Sequence, residues 1–127
     1  MCHQTVGLAS RYLEEQGIPT VTFGCARDIV ERCGVPRFVF SDFPLGNPTG
    51  RPHDPASQRM VVQLGLDLLV SARAPGTTVV SPEEWSADHS WKERVFTKTQ
   101  PFLDPEATEK WLARKEHYRE LKNQGRL

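Results

Sequence analysis

The sequence predicts an α/β fold: a three-layer open sheet, mostly parallel, of the Rossmann or flavodoxin-like kind, lacking its first strand. Three observations carry this expectation. Short β-branched or aromatic runs at 20–24, 36–42 and 76–82 alternate with longer helical segments, and such alternation implies βαβ units. Helix signals bracket the longer segments: Asp-Pro pairs at the starts and glycine at the ends. The first helical segment has no strand before it, whereas a doubly wound domain normally opens with one.

Each element follows from its residues. In "QTVGLASRYLEEQ" (4–16), Val6, Leu8, Ala9, Tyr12 and Leu13 fall at mostly helical spacing, with Glu14 and Glu15 on the other face. "GIP" then stops the helix, because Gly17 suits a C′ position and Pro19 cannot extend it. "TVTFG" (20–24) reads as a strand and "CARDIVERCG" (25–34) as a short helix ended by Gly34. "PRFVFSD" (36–42) is a buried strand with Phe38, Val39 and Phe40 in a row. Residues 43–55 hold four prolines and two glycines, the composition of an ordered turn system. Asp54 and Pro55 open the longest helix as N-cap and N1. Its body is apolar almost all round through Leu69, which predicts burial against a sheet or a partner chain. "GTTVVSP" (76–82) is the third strand. Ser81 to Glu84 has the pattern of a capping box and predicts a short helical turn carrying Trp85. Residues 86–101 are polar and irregular, and Asp104-Pro105-Glu106 caps a final helix to about Lys122. Residues 1–82 thus form the α/β core, and 83–127 a helical extension expected to pack on it.

Composition excludes several classes. Sixteen Lys and Arg balance sixteen Asp and Glu, so no charge excess points to nucleic acid or to a membrane surface. No apolar run approaches the ~20 residues that span a bilayer. The start has no basic segment and apolar stretch of a signal peptide, which predicts a cytoplasmic protein. The cysteines, Cys2, Cys25 and Cys33, are odd in number and widely spaced, a poor disulfide framework. No HExxH or close His/Cys cluster occurs, so no metal site is expected. No GxGxxG or phosphate loop occurs either.

The candidate chemistry lies at the helix starts and strand ends. Cys2 sits just ahead of a helix, where free amides and the helix dipole suit an anionic sulfur. His3, Gln4 and Thr5 share that first turn and could donate hydrogen bonds to an anionic ligand. The competing reading makes Cys2 an ordinary residue at a frayed terminus. "FPLGNP" (43–48) follows a strand end, so Gly46 and Asn47 belong to the same rim; the competing reading is a turn that only routes the chain. Arg27 could pair with a substrate carboxylate or, alternatively, with Asp28 or Glu31. Cys25 and Cys33 flank one short helix and read as packing thiols. His53, His89 and His117 are isolated in sequence, and Trp85, Trp91 and Trp111 suit cover for a core edge.

"CHQTVGLASRYLEEQGIPTV", then "PRFVFSDFPLGNP", then a long apolar helix together resemble the carboxyl-terminal part of the selenoprotein B family. That family contains the substrate-reducing subunits of glycine, sarcosine, betaine and D-proline reductases. The resemblance spans about residues 2–80. It implies reductive C–N cleavage of a small amino acid or derivative, with subunits of a reductase complex as partners; the expected oligomer rests instead on the nearly all-apolar face of residues 60–70. It implies no cofactor in this chain, since the pyruvoyl group that activates the amine sits on a partner subunit.

In the glycine reductase branch, the helix before "GIP" follows a motif of selenocysteine or cysteine, two residues, then cysteine. Counting back from Gly17 places Cys2 on the second position, as a resolving-type thiol. The attacking residue would stand two residues before Met1. Selenocysteine is encoded by a stop codon, so a start just after it implies truncation. The resemblance leaves two alternatives: a non-catalytic relative or partner subunit, and a module that binds a small acid without reacting.

Overall fold

The computed structural model describes residues 2–95 and 104–124. Two compact units divide the chain, residues 1–89 and 90–127. In the first unit the elements run α1 (Cys2–Glu15), β1 (Thr22–Gly24), α2 (Arg27–Arg32), β2 (Arg37–Phe40), α3 (Pro55–Ser71) and β3 (Thr77–Val80). The chain is a mixed α/β protein. Its three strands form one parallel sheet in the order β1-β2-β3. The register pairs Phe23 with Val39, and Val39 with Val79.

Consecutive residues of a strand face opposite sides of a sheet, and β2 uses both. Phe38 joins Val30 of α2, Val35, Cys33 and Phe40 in one core cluster. Val39 joins Val61 and Leu68 of α3 in the other, with Phe23 and Val79 beside it. The continuous apolar run of β2 is therefore a strand buried on both faces, as its sequence predicts.

The helix boundaries obey their capping residues. Ile18 donates its N–H to the Leu13 carbonyl and Gly17 to the Glu14 carbonyl, with Gly17 at φ 78°. This paired pattern is a Schellman motif ending α1. Asp54 accepts the Ser57 N–H at 3.0 Å, and Pro55 follows it at N1.

Three sequence expectations are corrected. The buried residues of α1 are Gly7 and Ser10, while Val6, Leu8, Tyr12 and Leu13 are exposed to varying degrees. The reason is close approach: a Cβ on Gly7 would stand 2.6 Å from the Cys33 Cβ, so α1 meets α2 through its smallest residue. Likewise α3 is not buried all round. Ser57, Val61, Gly65 and Leu68 face the core, while Val62, Leu66 and Val70 form an outward apolar stripe, Val70 being 91% exposed. Finally, Ser81–Glu84 forms no helical turn. The Ser81 N–H continues the ladder to the Phe40 carbonyl at 2.8 Å, and Glu83 is drawn to Arg51 at 3.1 Å.

In the second unit, α4 (Trp91–Val95) occupies part of the segment expected to be irregular. Its residues are polar on average, and five of them make little more than one turn. Helix α5 (Pro105–Asn123) starts at the expected cap, where Asp104 accepts the Ala107 N–H at 2.7 Å. None of its described residues is buried, and Lys115 lies over the Trp111 ring at 4.6 Å.

Two positions test this description. Gly50 has φ 110°, and a Cβ there would stand 2.6 Å from the Gln58 Cα and 2.7 Å from its backbone N. Strain and overpacking at the start of α3 add together, so Gly50→Ala should cost about 2–4 kcal/mol in denaturant unfolding. Glu14 accepts hydrogen bonds from the Thr20 N–H and hydroxyl and from Arg37. Burial pushes its carboxyl upward, but these donors outweigh burial and hold it below the usual carboxylate range. A depressed carboxyl stabilises the fold above its unfolded pKa and loses that contribution as pH falls through the folded value. Glu14→Gln should therefore cost about 1–2 kcal/mol at neutral pH, and the gap to the parent should close in acid.

Candidate functional site

The carboxyl ends of β1 and β2 open on a cleft of about 190 Å³. One wall is the first turn of α1, with Cys2, His3 and Val6. The floor is β1 itself, Thr22 to Gly24, running into Cys25. The roof is the "FPLGNP" turn, through Leu45, Gly46 and Pro48. Among the described residues β1 pairs with β2 alone and is an edge strand, and all three of its residues line the cleft.

The turn is held from below. Ser41 donates its N–H to the Gly24 carbonyl and its hydroxyl to the Pro48 carbonyl, both at 3.0 Å. Phe43 is buried and meets Trp85 edge-on, with ring centroids 5.4 Å apart. The next stretch is locked at Arg51, whose guanidinium reaches Asp54 at 2.9 Å, Glu83 at 3.1 Å and the Glu84 carbonyl at 2.8 Å. Hydrogen bonding to Asp54 holds the Arg51 charge above its ordinary pKa, and the capping Ser57 N–H, then Arg51, hold Asp54 below its own.

Of the residues expected at the site, Cys2, His3 and Gly46 line this cleft. Gln4 faces a separate groove with Asp28, Arg32 and Cys33, and Thr5 is exposed on the first turn of α1. Arg27 is paired with Glu31 at 2.9 Å on the surface of α2, the alternative its sequence neighbours offered. The Asn47 side chain folds back on the Pro44 carbonyl at 3.3 Å, so Asn47 contributes its backbone.

Cys25 is the residue that sequence reasoning passed over. It is half-buried and lines the cleft, while Cys33 packs in the core cluster of α2. The N–H groups of Asn47 and Phe43 are directed at the Cys25 sulfur while also closing their own turns. Burial pushes the Cys25 thiol up, the two amides pull it down by less, and the Asp42 carboxylate adds to the rise. The available signal was position: Cys25 directly follows β1, as Arg27 nearly does, and the same rim argument covers both.

The chain is similar to D-proline reductase subunit gamma of Acetoanaerobium sticklandii. The two are 33% identical over 86 residues, which cover 68% of this chain and 36% of that protein. The chain is therefore a distant relative that spans about a third of that subunit's length. No family model and no solved structure matches it. Among the described residues, no three His, Cys, Asp or Glu side chains gather as a metal site would require, and no helix is long and apolar enough to cross a membrane.

Alkylation against pH measures the Cys25 environment. The Cys25 thiol should react more slowly than a free cysteine at neutral pH, with its reactive midpoint displaced to higher pH. Asp42→Asn should move that midpoint back down, as read by mass spectrometry of the modified peptides.

Proposed function

We propose that this chain is the carboxyl-terminal part of a selenoprotein B-type reductase subunit that carries out reductive C–N cleavage on a small amino acid. The observation that carries the reading is the placement of Cys2. The residue that the family resemblance marks as the resolving thiol lines a cleft at the carboxyl ends of parallel strands, where α/β sheets bind ligands. The similarity to a reductase subunit supports it from outside the cleft.

The cleft also fits the rest of the proposal. A strand preceding α1 would pair with the open edge of β1, complete a three-layer sheet and deliver the attacking selenocysteine or cysteine beside Cys2. Cys2 would then form the bond to the oxidised attacking atom, so that a dithiol reductant can reset the pair. His3, with the backbone at Gly46 and Asn47, would hold the substrate, and the apolar lining from Val6, Leu45 and Pro48 would limit water. The pyruvoyl group of the family belongs to a partner subunit, and no residue of this chain is assigned to hold it. The outward stripe of Val62, Leu66 and Val70 is the surface we assign to such subunits. The small-acid binding alternative is weaker, because Arg27, its proposed cation, is engaged by Glu31.

The test uses the protein as its own cells make it. Its intact mass should exceed 14.4 kDa, with selenium or a cysteine ahead of Cys2. Isolated together with the partner subunits that carry the pyruvoyl group, it should turn over D-proline, glycine, sarcosine or betaine with a dithiol reductant, and Cys2→Ser should abolish that turnover. A mass of 14.4 kDa with no turnover of any of the four would overturn the proposal.

A further inference from the structure

We infer that Cys2 and Cys25 form a dithiol–disulfide pair within this chain, exchanging two electrons with a small-molecule disulfide. The inference goes beyond the reductase reading, because it needs no residue ahead of Met1.

The geometry distinguishes the three cysteines. Cys2 is exposed on the first residue of α1 and lines the cleft. Cys25 lines the same cleft from the end of β1, half-buried under the 43–48 turn. Cys33 contributes to a core cluster and abuts Gly7. Two thiols therefore share one solvent-connected space, one accessible to a ligand and one recessed. Helix ends fray, so Cys2 can approach Cys25 without disturbing the core, which touches α1 at Gly7 and Ser10.

The roles follow from exposure. The Cys2 thiolate attacks one sulfur of the incoming disulfide. A Cys2 mixed disulfide forms, the substrate S–S bond breaks, and one thiolate leaves. Cys25 then gives its proton to solvent, and its sulfur attacks the Cys2 sulfur. The mixed disulfide breaks, a second thiolate leaves, and a Cys2–Cys25 disulfide remains. The two cysteines are oxidised by two electrons, and the substrate disulfide is reduced to two thiols. The N–H groups of Phe43 and Asn47 stabilise negative charge on the Cys25 sulfur as the second attack begins. The recessed position keeps Cys25 from being captured by a second substrate molecule.

The sequence makes the test clean. Trypsin cuts after Arg11, Arg27 and Arg32 and puts each cysteine on its own peptide. The reduced full chain is incubated with glutathione disulfide, quenched in acid and mapped without reduction. The expected result is loss of two free thiols per chain, a Cys2–Cys25 cross-linked peptide pair, and free Cys33. Cys33→Ser should give the same link. Cys25→Ser should stop at a Cys2–glutathione adduct. A link to Cys33, dimers joined through Cys2, or a parent chain that stops at the Cys2 adduct would each overturn the inference. The parent map alone decides the matter should Cys25→Ser fail to fold. None of these outcomes bears on turnover of D-proline, so failure here and failure of the reductase proposal are told apart.

Discussion

The central strand β2 contributes one buried side chain to each face of the sheet, and the other elements are arranged around that fact. Phe38 and Val39 are adjacent in sequence and almost wholly buried, yet they belong to different clusters. On one side Phe38 meets Val30 of α2, and a Cβ on Gly24 would press on both at 3.1 and 3.3 Å. On the other, Val39 meets Val61 and Leu68, and Gly65 leaves room for the Phe23 ring. A strand that must satisfy both faces has no polar side to spare. That is why "FVF" carries no alternation, and why a one-residue slip in register would exchange the two cores.

This arrangement has a topological consequence. The strands lie in the order β1-β2-β3, while α2 and α3 pack on opposite faces. Two crossovers that advance the same way on opposite faces have opposite hands, although right-handed connections are the strong rule. A doubly wound sheet changes face where its strand order reverses, and these three strands do not reverse. The chain must instead pass over the carboxyl edge of β2 to reach the other side, and residues 41–54 do so. The proline-rich turn is thereby laid across the ends of β1 and β2. Ser41 pins its base, Phe43 and Trp85 brace its flank, and Gly50 lets it drop against Gln58. The roof of the cleft is a by-product of changing faces.

What could be read from the sequence divides along the same line. Local rules succeeded where one residue decides the outcome: Gly17 closing α1, Asp54 and Asp104 capping α3 and α5, and the β-branched runs of the three strands. They failed where a distant partner decides. Gly7 is buried because Cys33 lies opposite, whereas Leu8 and Tyr12 stay exposed. Ser81–Glu84 has a helical pattern, yet Phe40 and Arg51 hold it extended. Within the site, Cys2, His3 and Gly46 were legible as rim residues. Arg27 and Asn47 were placed on the right edge, but their side chains turn to local partners. Side-chain direction is not carried by sequence position alone.

Cys25 shows the same limit in its sharpest form. A cysteine between a strand and a short helix has the composition of a packing residue, and its twin Cys33 is one. The two differ in what distant parts of the chain bring to them. Cys33 meets Gly7, a residue with no side chain to offer, and packs on the core cluster beside a separate groove. Cys25 receives two backbone N–H groups from a turn that starts eighteen residues further on, and it stays open to the cleft. Those amides are shared with the Ser41 and Pro44 carbonyls, so their hold on the sulfur is partial, and burial wins at rest. A sulfur that starts to ionise draws more strongly on the same two donors, because a charged acceptor makes the stronger hydrogen bond. The turn that the fold needs in order to change faces thus supplies the polar groups that a reacting thiol would need.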